Sequence, residues 1–285
     1  MATVRFTKMH GAGNDYIYVN AMEYPVSDPE RAAAVWSDRH KGVGSDGLIL
    51  IDRSDVADFK MRMFNNDGSE GIMCGNGIRC VGKFVYDHRL TTRKTVTVET
   101  LGGIKTLQLY TGADDKVTKA RVDMGAPILT NPEQFALNGG AMLEGEISAT
   151  GKDGKSRSYR GTYVCMGNPH FVIFTDDISS VDLAGEGQAL ETLPVFPQKC
   201  NIEFAQMRSD GTVRTRVWER GTGITQACGT GACATAVAAI LTGRATSKVT
   251  IAMDGGDLEI EWDGKGHLFM TGPAATVFEG EIETE

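Results

Sequence analysis

Long apolar runs are missing from this 285-residue chain. None approaches the roughly 20 residues that a membrane-spanning helix needs, which excludes a helical membrane protein. Positive charge is also in deficit: 29 Lys and Arg stand against 37 Asp and Glu, for a formal net charge of −8. No basic stripe with interleaved aromatics offers a surface to nucleic acid or to an anionic membrane. The start, Met1 to His10, lacks the charged beginning, apolar middle and small-residue cleavage site of a secretion signal, so a cytoplasmic protein is expected. A close C-x-x-C pair of the redox type is absent. So is a regular alternation of strand and helix patterns, which argues against a doubly wound parallel sheet.

Cysteine is present six times, at 74, 80, 165, 200, 228 and 233. A disulfide scaffold would need a short secreted chain. Zinc is the other alternative, but five residues separate Cys74 from Cys80, four separate Cys228 from Cys233, and the intervening residues open a helix rather than a zinc-knuckle turn. No metal is therefore assigned. Cys80, Cys165, Cys200 and Cys233 read as small buried apolar residues.

Cys74 and Cys228 stand apart because each begins a Cys-Gly-x-Gly turn that runs into a helical stretch. A helix start leaves backbone N–H groups without intrahelical partners and a positive dipole end beside the sulfur, which biases a thiol towards thiolate. Cys228 follows Cys74 by 154 residues, and the same step carries Gly13-Asn14 onto Gly167-Asn168, Arg62 onto Arg216, Phe64 onto Trp218 and Asn65 onto Glu219. With a slip of one residue, Gly102-Gly103 lands on Gly255-Gly256. This is an internal duplication covering most of the chain. It predicts two lobes of roughly 100–150 residues each, 1–126 carrying Cys74 and 127–274 carrying Cys228, facing each other across a cleft.

In chain order, strands are expected at Val4 to Phe6 and Tyr16 to Val19, around a Gly-rich loop from Met9 to Asp15. A helix at Pro29 to Arg39, a turn-rich loop Gly42 to Gly47, and strands at Leu48 to Asp52 and Phe59 to Phe64 follow. The helix after Cys74 shows a core stripe of Ile78, Val81, Phe84 and Val85. Thr95 to Glu99 and Ile104 to Leu109 read as a hairpin, and Arg121 to Met124 closes the first lobe. Pro127 to about Gly161 reads as irregular. The second lobe repeats the plan: strands at Tyr163 to Met166 and Phe171 to Phe174, a pair at Asn201 to Met207 and Thr212 to Trp218, then an Ala-rich helix from Gly231 that is apolar all round and so buried. The fold class is α+β, each lobe a mostly antiparallel sheet curled around a central helix.

Two thiols at equivalent positions suit one kind of chemistry. Inverting a carbon centre by proton transfer needs a base on one face and an acid on the other, and an ordinary thiol pKa of about 8.5 lets thiolate and thiol coexist near neutrality. The helix N-termini would also present N–H groups to a carboxylate, stabilising charge that develops when the adjacent carbon loses its proton. That describes a racemase or epimerase with no cofactor. The chain competes with two other classes at this point: a thiol-disulfide oxidoreductase, and an anion-binding module that would tolerate Cys→Ser at both positions.

Seven motifs in consistent order resemble the diaminopimelate epimerase family: Met9 to Asp15, Phe64 to Glu70, Cys74 to Cys80, Gly167 to His170, Asn201 to Phe204, Glu219 to Gly223 and Gln226 to Cys233. The resemblance implies interconversion of LL- and meso-2,6-diaminopimelate for lysine and peptidoglycan precursor synthesis, without pyridoxal phosphate or metal, in a homodimer. It implies that the last strand, within 275–285, returns to the first lobe. Carried over by position, it implies Cys74 and Cys228 as acid/base thiols and Gly75-Asn76 with Gly229-Thr230 as amides at the reacting end. It further implies Asn14, Asn65, Asn168, Asn201, Glu219 and Arg220 as substrate-holding residues, with His170 and Glu219 tuning the thiols. Some members carry Gln where this chain has Gly47, so that side-chain contact is lost here. The related alternative is a racemase of proline, hydroxyproline or histidine.

Plainer readings stand beside these. Asn14 and Asn168 also suit turns, His170 and His10 suit a satisfied core or cap, Glu219-Arg220 suits a surface ion pair, and Met61 and Met63 suit the core. The place of both Asn residues in the duplication, and the fit of Arg to a carboxylate, favour function for Asn14, Asn168 and Arg220.

Overall fold

A computed structural model describes residues 2–136, 140–151 and 154–284. Residues 137–139 and 152–153, within the stretch read as irregular, lie outside the described residues, as do Met1 and Glu285. The chain forms two compact units, Met1–Asp123 with Thr271–Glu285, and Met124–Met270.

The first unit opens with β1 (Ala2–Gly11) and β2 (Asn14–Asn20), joined by Ala12 and Gly13 alone. These two residues sit at φ 54° and 82°, the pairing of positive φ values that matches a tight hairpin to strand twist. The Gly-rich segment expected as a loop from Met9 to Asp15 is therefore mostly strand, with His10 paired to Asp15 across the hairpin. Next comes α1 (Pro29–Trp36), capped by Asp28 accepting the Arg31 N–H at 3.0 Å. It stops three residues short of the expected Arg39, because the Trp36 carbonyl accepts from Val43 and Gly44 as the chain doubles back. Then follow β3 (Gly47–Asp52), β4 (Phe59–Asn65), the short β5 (Glu70–Gly71), α2 (Gly75–Asp87), β6 (Thr95–Thr100), β7 (Gly103–Thr111) and β8 (Val117–Gly125).

The second unit holds β9 (Gly145–Thr150), β10 (Ser156–Cys165), β11 (Pro169–Phe174), α3 (Leu183–Glu191), β12 (Asn201–Met207), β13 (Val213–Glu219), β14 (Gly223–Thr225), α4 (Gly229–Leu241), β15 (Lys248–Met253) and β16 (Gly256–Glu261). Two strands close the chain, β17 (Leu268–Pro273) and β18 (Ala275–Thr284). β9 and most of β10 occupy the stretch read as irregular, pairing antiparallel with each other. α3 was not foreseen: Gly185 and Gly187 weaken its helical signal, yet a Cβ at Gly187 would come within 2.5 Å of the Trp218 side chain.

The pairings repeat. In the first unit β1–β2 is antiparallel, β2–β3 parallel, β3–β4 antiparallel, β4–β6 parallel and β6–β7 antiparallel. In the second unit the series β10–β11, β11–β12, β12–β13, β13–β15 and β15–β16 has the same sequence of senses. β18 pairs antiparallel with β1, as β9 pairs with β10. Most pairs being antiparallel, each sheet is of the expected kind.

Each sheet has two covered faces. Outside, α1 seals Val4, Phe6, Ile17, Val19, Leu48, Leu50 and Phe64 with Ala33 and Trp36, and α3 seals Tyr163, Phe171, Ile202 and Phe204 with Leu183 and Leu190. Inside, α4 touches β10, β11, β12, β13, β15 and β16, so the sheet curls around it. Its small Ala side chains let strands approach from all sides, and Ala232 to Ala239 are buried. α2 is likewise buried from Gly75 to Tyr86, beyond the one-sided stripe its sequence suggested. Its polar residues are satisfied inside: Lys83 Nζ donates to Asp87 and to the Val117 carbonyl at 2.7 and 2.6 Å.

Candidate active site

Cys74 and Cys228 occupy the same structural position. Each is the N-cap of the central helix of its unit, in extended backbone at φ −122°, ψ 117° and φ −121°, ψ 114°. Cys74 Sγ accepts the Gly77 N–H at 3.3 Å, and Cys228 Sγ accepts the Gly231 N–H at 3.4 Å. Sulfur thus takes the place of the usual cap oxygen, and α4 begins at Gly229 rather than at Gly231.

Around Cys74, the thiol donates to Asn14 Oδ1 at 3.2 Å. Asn14, the first residue of β2, donates its Nδ2 to Asp46 Oδ2 at 2.7 Å. Asn76 is buried, its Oδ1 accepting from Arg79 Nη2 at 3.0 Å, and Arg79 also donates to the carbonyls of Gly75 (2.9 Å) and Pro273 (3.2 Å). Arg79 is the largest fully buried side chain among the described residues. It ties the first turn of α2 to the approach to β18. Asn65, the last residue of β4, turns its Nδ2 to Ser69 Oγ at 3.0 Å instead.

Around Cys228, the Thr230 hydroxyl lies 3.4 Å from the sulfur. His170 is on β11, fully buried, with Nδ1 2.7 Å from Glu203 Oε1 and Nε2 3.0 Å from Asn168 Oδ1. Glu203 is also fully buried, and its Oε2 has no hydrogen-bond partner among the described residues. Glu219 ends β13 and accepts from Thr225 Oγ1 at 2.5 Å. Asn201 bridges backbone: its Nδ2 donates to the Pro169 carbonyl at 2.8 Å and its Oδ1 accepts the Arg220 N–H at 3.0 Å. Each end of that amide keeps a second hydrogen-bonding position. Arg220 donates its Nη1 to the Gln198 carbonyl at 2.9 Å.

The thiolate bias expected of a helix N-terminus is overruled. Burial pushes the Cys74 thiol up, against the N–H groups of Gly77 and Asn76, the Tyr16 hydroxyl and the Arg79 charge, all of which pull it down. Cys228 is pushed well above the ordinary thiol value, first by burial and then by the negative charges of Glu219 and Glu203. Desolvation of an anion outweighs a few N–H dipoles. Burial also raises Glu219, with Thr225, His170 and Cys228 opposing.

Sequence reasoning passed over Glu203, Tyr16, Asp46 and Arg79. A signal existed for two of them: Tyr16 stands 154 residues before His170, and Glu203 is the lone charge in the apolar strand motif Asn201 to Phe204. Among the described residues no group of three or more His, Cys, Asp or Glu is arranged to hold a metal ion, and no helix is long and apolar enough to cross a membrane.

The profile of the diaminopimelate epimerase family matches residues 6–130 and 162–277. The chain is 57% identical to the diaminopimelate epimerase of Phocaeicola vulgatus, over 99% of each chain. It is 53% identical to that of Parabacteroides distasonis, over 99% of this chain and 98% of the relative. Among solved structures, a phenazine biosynthesis protein of the PhzF family from Bacillus anthracis superposes with a TM-score of 0.72 at 17% identity, covering 100% of both chains. At that identity the likeness is one of fold, and the fold is α+β of the type these proteins share.

Proposed function

The chain belongs to the diaminopimelate epimerase family, and we propose that it interconverts LL- and meso-2,6-diaminopimelate by two-thiol proton transfer at the α-carbon. The observation that carries this reading is the pair of cysteines, each capping the central helix of one unit at positions 154 residues apart. In the forward direction one thiolate removes the α-proton while the other thiol delivers a proton to the opposite face. The roles exchange on reversal. Raised thiol pKa values in the protein alone suit this scheme: a neutral thiol is the required acid, and a bound ammonium beside the other sulfur would offset the burial that opposes its ionisation.

Gly75-Asn76 and Gly229-Thr230 would direct first-turn N–H groups at the substrate carboxylate, and the charge growing on it as the proton leaves is what such donors stabilise. Asn14, Asn65, Asn168, Asn201, Glu219 and Arg220 would hold the remaining polar groups, and His170 with Glu219 would set the protonation of Cys228. The two compact units are then the N-terminal lobe with Cys74 and the C-terminal lobe with Cys228. No pyridoxal phosphate or metal takes part in this reading. We place the enzyme in the cytoplasm as a homodimer serving lysine and peptidoglycan precursor synthesis.

Incubation with LL-diaminopimelate in D₂O tests this. The meso product should carry one deuterium at the inverted carbon from its first appearance, while remaining LL substrate gains it only by reversal. Protium retained in early product would point to a single shared base and sink the two-thiol scheme. A panel of proline, hydroxyproline and histidine tests the alternative, which the near full-length relatives disfavour; turnover of any of them above diaminopimelate would revive it.

A further inference from the structure

Asp46 belongs to the turn-rich segment Gly42 to Gly47, for which the sequence suggested no role. Its carboxylate is held on every side. Oδ2 accepts from Asn14 Nδ2 at 2.7 Å and from the Asp15 N–H at 3.1 Å, and Oδ1 accepts from Arg39 Nη2 at 2.9 Å. Its backbone is pinned as well, the N–H donating to the Asp15 carbonyl at 2.8 Å and the carbonyl accepting from Asn66 at 3.1 Å. Asp15 in turn meets Arg39 at 3.0 Å and the buried Lys8 at 2.6 Å. A carboxylate offers only acceptors, so the end of the Asn14 amide that faces it must be the NH₂. The amide oxygen is thereby turned to Cys74 Sγ, 3.2 Å away.

We propose that Asp46 is the positioning residue that sets the orientation of the Asn14 amide and, through it, which hydrogen bond Cys74 makes. The second unit holds the equivalent amide by its other end: Asn168 Oδ1 meets His170 Nε2 at 3.0 Å, while the residue 154 positions after Asp46 is Cys200, which cannot take the part of Asp46. Without Asp46 the Asn14 amide can turn half a revolution at little steric cost. It would then offer Cys74 a donor in place of an acceptor and present a substrate with the wrong pattern. The inference rests on Cys74 being an acid/base group. The ionisable groups around the sulfur are Tyr16, Tyr18, Cys80 and Arg79, and those around Asp46 are Asp15, Arg39 and Tyr16.

The test measures the rate of Cys74 alkylation by iodoacetamide across pH, read by peptide mass spectrometry without substrate, alongside kcat and KM for LL-diaminopimelate. Asp46→Ala should move the Cys74 profile to lower pH and raise KM about tenfold with kcat changed far less. Asp46→Asn keeps an oxygen acceptor in place and should restore both to within about twofold of the native protein. In an Asn14→Ala background, Asp46→Ala should add nothing to the Cys74 profile. A shift that persists there would mean the Asp46 charge acts on the thiol directly, and an Asp46→Asn variant as impaired as Asp46→Ala would mean charge matters and the acceptor does not. Either result overturns the proposal. Should Asp46→Ala lose its fold by circular dichroism, Asp46→Asn decides alone: a native-like Cys74 profile supports the positioning role and a shifted one refutes it. Because alkylation needs no turnover, an enzyme inactive on diaminopimelate would refute the proposed function and leave this measurement intact.

Discussion

The surroundings of the two thiols share a backbone frame and differ in what fills it. Where the second unit has His170, Asn201, Glu203 and Glu219, the first has Tyr16, Gly47, Ile49 and Asn65, each 154 residues earlier. Both frames supply an N-cap, a first-turn N–H at the sulfur and an Asn at the start of the second hairpin strand or just before it. Around Cys228 the fillings are two carboxylates and an imidazole. Around Cys74 they are neutral donors and the Arg79 cation. Equal geometry therefore comes with unequal ease of ionisation. Repeated backbone places a thiol, but the side chains behind it decide which proton state it prefers.

The largest effect should come from removing the shared feature. Cys74→Ala and Cys228→Ala should each cost epimerisation several orders of magnitude, as loss of one member of an acid/base pair does. Each should also lose about 1 kcal/mol of stability with the missing cap acceptor. Cys→Ser keeps a cap acceptor, so it should recover the stability and little of the activity. A Cys228→Ala enzyme that stays folded and turns over within about tenfold of native, only ~1.4 kcal/mol in barrier, would show that the two halves are not catalytic equivalents.

A subtler contrast lies in the glycines that receive the thiols. A Cβ at Gly77 would meet the flexible end of Ile49 at 2.7 Å, whereas one at Gly231 would meet Glu203 Oε1 at 2.6 Å. Ile49 can swing aside, but that Glu203 oxygen is tied to His170. Urea unfolding should show Gly231→Ala destabilised by about 2 kcal/mol. Gly77→Ala should lie within about 1 kcal/mol of native, since Ala is the better helix former. Equal losses would mean that the His170–Glu203 pair yields as easily as an aliphatic chain.

Ionisation should separate the halves as pH rises. With Cys228 pushed further up than Cys74, iodoacetamide should modify Cys74 at lower pH and Cys228 only in more alkaline solution. Glu219→Gln removes a negative neighbour from Cys228, so its profile should move to lower pH while that of Cys74 stays put. If Cys228 does not move, burial alone sets its state. The smallest effect tests symmetry itself: Asp28 and Asp182 cap α1 and α3 at positions 154 apart. Each Asp→Ala change should cost about 1 kcal/mol, and unequal losses in thermal unfolding would mark one outer helix as better held by packing.

Legibility followed the range of the interactions. The duplication, both cysteine caps and the Ala-rich buried helix were readable because each depends on spacing or on residues a few positions apart. α3 was hidden by glycines that exist for Trp218, a residue far along the chain. β9 and β10 were hidden in a polar stretch whose outward faces are exposed on a half-solvated hairpin. Among the site residues, Cys74 and Cys228 announced themselves. Asp46 did not, because its importance lies in a bond to Asn14 across 32 residues of chain.

By itself the sequence determined a twice-used plan, an α+β architecture, membership of a family and a thiol at the head of each central helix, since helix starts, tight turns and periodic burial are local properties. The tertiary structure decided the rest. Pairing between residues as far apart as Ala2 and Thr284 set β18 beside β1, and packing from several strands at once shielded both sulfurs from water and set the Glu219 and Glu203 charges against Cys228. A helix dipole is written into a few consecutive residues and favours thiolate. The desolvation that reverses this preference comes from everything folded around the sulfur, and no local stretch of sequence encodes it.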